Sequence, residues 1–365
     1  MDFAGERYYK LNKILLLSLG LWPYQISTFK KVQNIFFQTL SISFVTCQFI
    51  PFFVRQYSIG TFTKMLMSII LTCIFIVKYN AGILLSDKIK YIFDRVRYDW
   101  NMLKTQAELE VIQKYANNAK FHTIFLILTS TCFSLGLVLI IWVPHMLDVI
   151  IPMNESRRQQ TIVDVEYFVD EETYFYAILT HIFFTVYAGT ITVMAIATIL
   201  IAYVLHICAL FRISSYRMEH IFDKNLQPMP KDIKQSTFYN NIINAVFVHR
   251  RALDLANIWT NSFSTMYVVL LVLVVPSMSL SFFNDIIDSS TDICQATYNA
   301  QWYTAPLCMQ KLIILIIQRS NRRSTLLVGG LFDASLEGFS TLVSMCVSYV
   351  MVLQSVGTHN ESGKK

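Results

Sequence analysis

Charged residues are scarce in this sequence, and recognisable catalytic motifs are absent from it. Only 15% of its 365 residues are charged, 54% are hydrophobic, and the mean hydropathy is +0.46. This composition is typical of an integral membrane protein. The sequence has no Gly-rich phosphate loop, no zinc-binding helix motif and no nucleophile elbow. We therefore expect neither an enzyme nor a bound cofactor or metal.

The cysteines do not indicate a structural or metal-binding role. The seven cysteines are odd in number and lie scattered, mostly in apolar stretches, which fits neither a disulfide framework nor a set of metal ligands. The net charge of +6 is compatible with binding to nucleic acid. However, the basic residues fall between the apolar stretches, where they orient a membrane protein, so we expect no nucleic-acid partner.

Six apolar stretches are each long enough to cross a bilayer, which takes about 20 residues. They cover residues 33–54, 62–85, 121–147, 174–205, 262–283 and 334–356. Two shorter stretches, Ile14–Trp22 and Leu307–Ile317, predict an interfacial helix and a helix buried against protein. The sequence therefore predicts an all-α fold, a multi-span transmembrane helical bundle.

The distribution of Lys and Arg predicts the orientation of the bundle. Five, seven and seven of these residues lie in 1–32, 86–120 and 206–261, against one and two in 55–61 and 148–173. Lys and Arg concentrate in cytosolic loops. We therefore expect a cytosolic N-terminus.

Two Asn-X-Ser triplets are candidate glycosylation sites. Asn154 lies in a loop that the orientation places outside the cell, and Asn360 follows the last span. Such triplets are common by chance. Histidines in or beside the spans, including His206, are better explained by helix packing than by a role as ligands or proton relays.

Aromatic and aliphatic residues at helical spacing suggest a pocket in the outer halves of spans three and four. Ordinary packing between helices explains the same pattern. The alternative is an apolar cavity for a small hydrophobic molecule. The candidate lining residues are Phe133, Leu137, Ile140, Tyr176, Phe183 and Tyr187.

The last apolar stretch combines aliphatic and small polar residues. Val352 and Val356 are four residues apart and share a helix face, with Ser348 one turn earlier and Ser355 close by. Two aliphatic rings along a pore can form a gate by dewetting. Contact of both valines with lipid is the alternative.

A set of short motifs carries a resemblance to a known family. They are GLWP (Gly20–Pro23), YDW (Tyr98–Trp100), PMNES (Pro152–Ser156), YFVDEETYFY (Tyr167–Tyr176), FRISSYRMEH (Phe211–His220), HRRALDLA (His249–Ala256), ATYNAQWY (Ala296–Tyr303), QRS (Gln318–Ser320), and SLEGF and SY in the last span. On these residues the chain resembles the insect odorant receptors, particularly the large set found in ants, bees and wasps.

The resemblance implies an odorant-gated, non-selective cation channel in the plasma membrane of sensory-neuron dendrites. A tuning subunit of this kind assembles with a co-receptor into a hetero-tetramer, surrounded by membrane lipid, and binds a small hydrophobic odorant or a cuticular hydrocarbon. The resemblance also implies that Val352 and Val356 form the gate, that Ser355 lines the pore, and that Leu307–Ile317 is a cytosolic half-helix.

One departure from the family concerns the sixth of its seven spans. In this chain Phe283 leads directly into Asn284, and residues 284–303 carry three aspartates that prevent them from crossing a bilayer. We therefore expect two parts, 1–283 with the pocket and 284–365 with the half-helix and pore helix. A truncated, non-functional receptor form is one alternative. A gustatory-type chemoreceptor and a small-molecule transporter are others, less favoured by the tail motifs and by the lack of an internal repeat.

Overall fold

The computed structural model describes most of the chain up to Asn299 and several short segments beyond it. The described residues are 5–299 apart from 55, 58, 104, 151–162, 171–172 and 222–230, and then Tyr303, Leu307–Ser320, Leu327–Val328, Phe332–Asp333, Ser344 and Ser348.

The described residues are almost entirely helical, which confirms the predicted all-α class. The helices are α1 (Glu6–Ser18), α2 (Thr28–Phe49), α3 (Pro51–Val54), α4 (Ile59–Leu84), α5 (Ser86–Met102), α6 (Gln106–Ile150), α7 (Phe175–Glu219), α8 (Lys231–Asn299) and α9 (Leu307–Ser320). Two short strands, β1 (Leu327–Val328) and β2 (Phe332–Asp333), pair antiparallel.

Among the described residues, five segments are long and apolar enough to cross a membrane, and they overlap the first five predicted spans. They are Thr28–Val54, Gly60–Leu84, Gln106–Leu137, Phe175–Glu219 and Gln235–Met278. The sixth predicted span, 334–356, lies outside the described residues except for Ser344 and Ser348. Residues 284–299 continue helix α8 without a break from the fifth span, and α8 also runs through Pro276.

The chain forms two compact units that interleave along the sequence. The first unit comprises residues 1–42, 75–162 and 179–266, and the second comprises 43–74, 163–178 and 267–365. The division expected after Phe283 stays a prediction.

The N-terminal helix starts and ends earlier than the apolar stretch Ile14–Trp22 predicts. Gly20 adopts a φ of 70°, which favours glycine, and so ends α1. The amide of Leu21 donates to the carbonyl of Leu16 at 2.8 Å, and that of Gly20 donates to Leu17 at 3.2 Å. Both bonds belong to a Schellman motif, with Leu16 and Leu21 buried beside it. The glycine of the GLWP motif therefore has a physical role as a helix stop.

Several helices of the first unit exceed the thickness of a membrane. Helices α6 and α7 have 45 residues each, or roughly 68 Å at 1.5 Å per residue, against about 30 Å of hydrocarbon. The part of each helix that exceeds this thickness is a basic segment, 106–120 in α6 and 206–219 in α7. Both segments were predicted to be loops. The corresponding segment 231–261 is also helical.

These helical extensions and α5 surround a core of the first unit. Helix α5 buries Ile89, Ile92, Phe93, Val96 and Trp100, which recur at helical spacing on one face. The ring of Phe93 lies 5.1 Å from Trp22 and 5.3 Å from Tyr203, measured between ring centroids. Helix α1 joins this core because Tyr8 stacks on Trp100 at 5.6 Å. The hydrophobic effect thus holds three separate chain segments against α5.

Candidate functional site

The same buried face of α5 carries an acidic residue. Asp99 follows Val96 by three residues, so the helical period places it on the side that packs against the core. Its exposed fraction is only 4%. A buried carboxylate is costly unless cations or hydrogen-bond donors surround it, and two other helices supply both.

Asp99 binds one side chain from α7 and one from α8. His206 Nε2 lies 3.0 Å from Oδ2 of the carboxylate, and a terminal nitrogen of Arg251 lies 2.5 Å from Oδ1. The Arg251 contact is an ion pair whose angles do not meet those of a hydrogen bond. The Arg251 guanidinium also lies 4.3 Å from the centroid of the Tyr98 ring. We call Asp99, His206 and Arg251 the Asp99 junction.

The Asp99 junction joins α5, α7 and α8 at one point. The three side chains are 4%, 1% and 13% exposed, so water screens their charges weakly. Removal of one partner from such a group leaves a buried charge without compensation. His206 therefore serves at a helix interface, in agreement with the packing interpretation of the sequence.

A second ion pair joins three helices of the same unit. Arg217 on α7 places Nε 2.5 Å from an oxygen of Glu108 on α6 and donates a 3.1 Å hydrogen bond to the carbonyl of Asn244 on α8. Glu108 is 6% exposed on its side chain. Neither cluster provides a nucleophile with a base, and the described residues contain no group of three His, Cys, Asp or Glu able to hold a metal ion.

Two of the six candidate pocket residues are in contact. The rings of Phe183 and Tyr187 stack with centroids 5.8 Å apart and planes 10° apart. Both rings are partly exposed and lie on the side of α7 away from its buried residues Ile182 and Thr185. They therefore present an aromatic surface rather than a filled helix interface.

The other candidate pocket residues are also accessible. On α6, Phe133 and Ile140 are exposed and Leu137 is half-buried. Tyr176 belongs to the second unit and is exposed there. This exposure suits lipid or a ligand equally well, so the pocket remains a hypothesis.

A glycine permits close packing on the buried side of α7. A Cβ atom at Gly189 would lie 2.1 Å from Cδ2 of Phe75 on α4. The Phe75 ring thus rests directly against the α7 backbone. Spans two and four approach each other here because position 189 has no side chain.

The gate and glycosylation candidates lie outside the described residues. These are Val352, Ser355, Val356, Asn154 and Asn360. Close to the first three, the Ser348 hydroxyl donates a 2.9 Å hydrogen bond to the carbonyl of Ser344, four residues earlier. That bond is typical of a serine within a helix.

The Asp99 junction and the Glu108–Arg217 pair were missed by reasoning from the sequence. Asp99, Arg217 and Arg251 all fall inside motifs that carried the family resemblance, but nothing in those motifs indicates a pairing. The sequence did contain one indication of the junction, because the helical period places Asp99 on the apolar face of α5.

Three comparisons with known proteins each find similarity to an odorant or olfactory receptor. The family model for the 7tm odorant receptors matches residues 284–347. Odorant receptor Or2 of Anopheles gambiae is 33% identical over 73 residues, which cover 20% of this chain and 19% of that protein. The structure of the insect olfactory receptor OR5 from Machilis hrabei in complex with eugenol aligns with a TM-score of 0.53 at 16% identity, over 96% of this chain and 98% of that one.

The fold and the spans define a helical, multi-span membrane protein with the architecture of an insect olfactory receptor. Its residues 284–347 match the family model for the 7tm odorant receptors, and a further short segment is similar to a mosquito odorant receptor. The matched sequence segments span only about a fifth of the chain, so its ligand, partners and channel activity are matters for proposal.

Proposed function

We propose that the chain is an odorant-recognising subunit of a ligand-gated, non-selective cation channel in the plasma membrane of sensory-neuron dendrites. The observation that carries this proposal is the family match over 284–347. That segment contains α9 and most of the predicted pore helix, so the match falls on the proposed ion-conducting part.

The proposed ligand is a small hydrophobic odorant or a cuticular hydrocarbon. The stacked rings of Phe183 and Tyr187 supply an accessible aromatic surface for such a molecule. Phe133, Leu137 and Ile140 on α6 and Tyr176 on α7 complete the proposed set. A ligand without charge needs apolar contact and few hydrogen bonds, which these side chains offer.

The proposed pore is formed with a co-receptor in a hetero-tetramer. Val352 and Val356 form the gate in this proposal, and Ser355 lines the pore. The orientation deduced from Lys and Arg places the N-terminus in the cytosol and Asn154 outside, where it is available for glycosylation.

The direct connection of Phe283 to Asn284 is relevant to whether this form of the chain conducts ions. The family match begins at residue 284, and α8 continues through this junction to Asn299 as one helix. Both observations support a chain in which the family's C-terminal segment directly follows the fifth span. We propose that the absence of a sixth span impairs the odorant response.

The test is whole-cell current from cells that express the chain with an insect co-receptor. The cells are challenged with volatiles and long-chain hydrocarbons, and a second form carries a sixth span inserted after Phe283. Responses of the restored form, with weak or no responses of the present chain, support the entire proposal. Full responses of the present chain contradict the impairment, and silence of both forms contradicts the channel function.

The responding form then allows a test of the pocket. Phe183→Ala and Tyr187→Ala should each raise the half-maximal odorant concentration about tenfold, since each removes an aromatic contact. Phe184→Ala is the matched control, because Phe184 is an exposed neighbour on the same helix. Equal effects of all three variants would contradict the pocket while leaving the channel proposal intact.

A further inference from the structure

Lysines from three chain segments surround the Trp22–Tyr24 linker. The Lys30 ammonium donates to the Trp22 carbonyl at 3.2 Å. Lys13 of α1 lies 5.9 Å from the centroid of the Trp22 ring, and Lys90 of α5 lies 5.6 Å from that of Tyr24. With the exposed Lys10, Lys31 and Lys88 on the same segments, these residues form what we call the basic collar.

The basic collar carries a large excess of positive charge. Residues 5–31 and 86–97 together contain nine Lys and Arg but only three acids, a surplus of six. Two of the acids are engaged, Glu6 with Lys13 at 3.1 Å and Asp94 with the Tyr24 hydroxyl at 2.7 Å. No ion pair joins Lys10, Lys31 or Lys88 to a carboxylate among the described residues.

The collar lies beside the ends of two helices of membrane-spanning length. Lys30 and Lys31 are in the first turn of α2, and Lys88 and Lys90 follow shortly after α4 ends at Leu84. Since both helices are of membrane-spanning length, these ammonium groups fall at the level of lipid headgroups.

Apolar side chains at the same level are unusually exposed. Ile26, in the linker before α2, is 97% exposed, Phe29 is 61% exposed, and Ile14 on the outward side of α1 is 50% exposed. In water such exposure is unfavourable. Exposed apolar side chains beside a row of lysines are typical of a segment at a membrane surface. In such a segment the apolar groups insert between acyl chains and the cations contact headgroups.

We propose that the basic collar binds the phosphate headgroup of an anionic phospholipid in the adjoining leaflet. The positive charge of the collar favours an anionic ligand. The exposed Ile14, Ile26 and Phe29 favour a ligand that also has acyl chains. The bound lipid fixes α1 against α5 at the membrane surface. Each lysine near an anionic membrane surface strengthens such binding about fivefold.

The experiment measures binding of fluorescent phosphatidylserine to the purified full chain in neutral detergent micelles. The expected result is saturable binding that unlabelled phosphatidylserine displaces and phosphatidylcholine does not. Inorganic phosphate is the third competitor. Displacement by phosphate as effective as that by phosphatidylserine would overturn the lipid proposal in favour of a free-anion site.

Charge variants test the collar itself. Lys31→Gln/Lys88→Gln should weaken binding about 25-fold, from about fivefold per lysine, whereas Lys31→Arg/Lys88→Arg should retain it. The control is Lys64→Gln/Lys114→Gln, which removes two exposed lysines that lie outside the collar segments 5–31 and 86–97. Melting temperatures of the three variants identify any misfolded protein. Unchanged affinity in the glutamine pair, or equal weakening in the control pair, overturns the proposal.

Discussion

The imidazole of His206 and the carboxylate of Asp99 lie 107 positions apart in the chain and meet at 3.0 Å between Nε2 and Oδ2. Arg251 binds the other oxygen of the same carboxylate. One acidic group therefore connects α5 to the extensions of α7 and α8.

Neutralisation of Asp99 should destabilise the protein. Asp99→Asn keeps the size of the side chain but leaves Arg251 and His206 buried around a neutral amide. We expect a loss of about 3–5 kcal/mol, the range for breaking a buried ion pair. Asp254→Asn, at an exposed acid on α8, is the control. The measurement is the melting temperature in detergent together with surface abundance, and equal values for the two variants would contradict the role of Asp99.

The two arginines of α7 should differ in importance. Arg217 pairs with a largely buried glutamate and a backbone carbonyl, whereas Arg212 and Glu219 are both more than half exposed and 3.4 Å apart. Arg217→Gln should cost about 2–3 kcal/mol, and Arg212→Gln at most about 0.5 kcal/mol. Thermal unfolding of both variants measures the difference, and a larger effect at Arg212 would refute this ranking.

Gly189→Ala should separate spans two and four. The added Cβ would lie 2.1 Å from Phe75, so the ring must move, at a cost of about 1–3 kcal/mol. Gly136→Ala is the matched control, because nothing lies within 4 Å of its Cβ position. Alanine there should be neutral or stabilising by up to about 1 kcal/mol. Phe75→Leu should partly restore the melting temperature of Gly189→Ala, and a lack of restoration would argue against the contact.

Gly20→Ala should weaken the stop of α1. At a φ of 70° an added Cβ would lie 2.8 Å from the Asn34 side-chain oxygen, and the left-handed conformation itself costs alanine about 1–2 kcal/mol. Ser18→Ala, an exposed position in the last turn of α1, should change stability little. Melting temperatures compare the two. If alanine is tolerated equally at both positions, the Schellman motif does not stabilise the fold.

The spans were predictable from the sequence because each is a long uninterrupted apolar stretch. The helices α2, α4, α6, α7 and α8 overlap the first five of them. The helix predicted over Leu307–Ile317 is present and extends to Ser320 as α9, but its Ile314 and Leu315 are exposed and not buried as predicted. Burial in lipid requires a helix of about 20 apolar residues, so length and hydropathy suffice for this part of the fold.

The helical extensions were not predicted because charged residues lie between their apolar residues and lower the mean hydropathy. Segment 86–120 has seven basic residues, yet α5 keeps Ile92, Val96 and Trp100 on one buried face. A search for helical period rather than mean hydropathy indicates that helix. The pairing of Asp99 with His206 and Arg251 is different in kind, because no local pattern specifies which distant side chain approaches a buried carboxylate.

The Asp99 junction also constrains the order of assembly during synthesis. Asp99 emerges from the ribosome well before either of its partners, and at about 5–20 residues per second the 107 positions to His206 take on the order of ten seconds. During that interval α5 exposes a charged residue on its apolar face and cannot complete its core. The bundle of α5, α7 and α8 therefore closes only after Arg251, in the first part of α8, has been made.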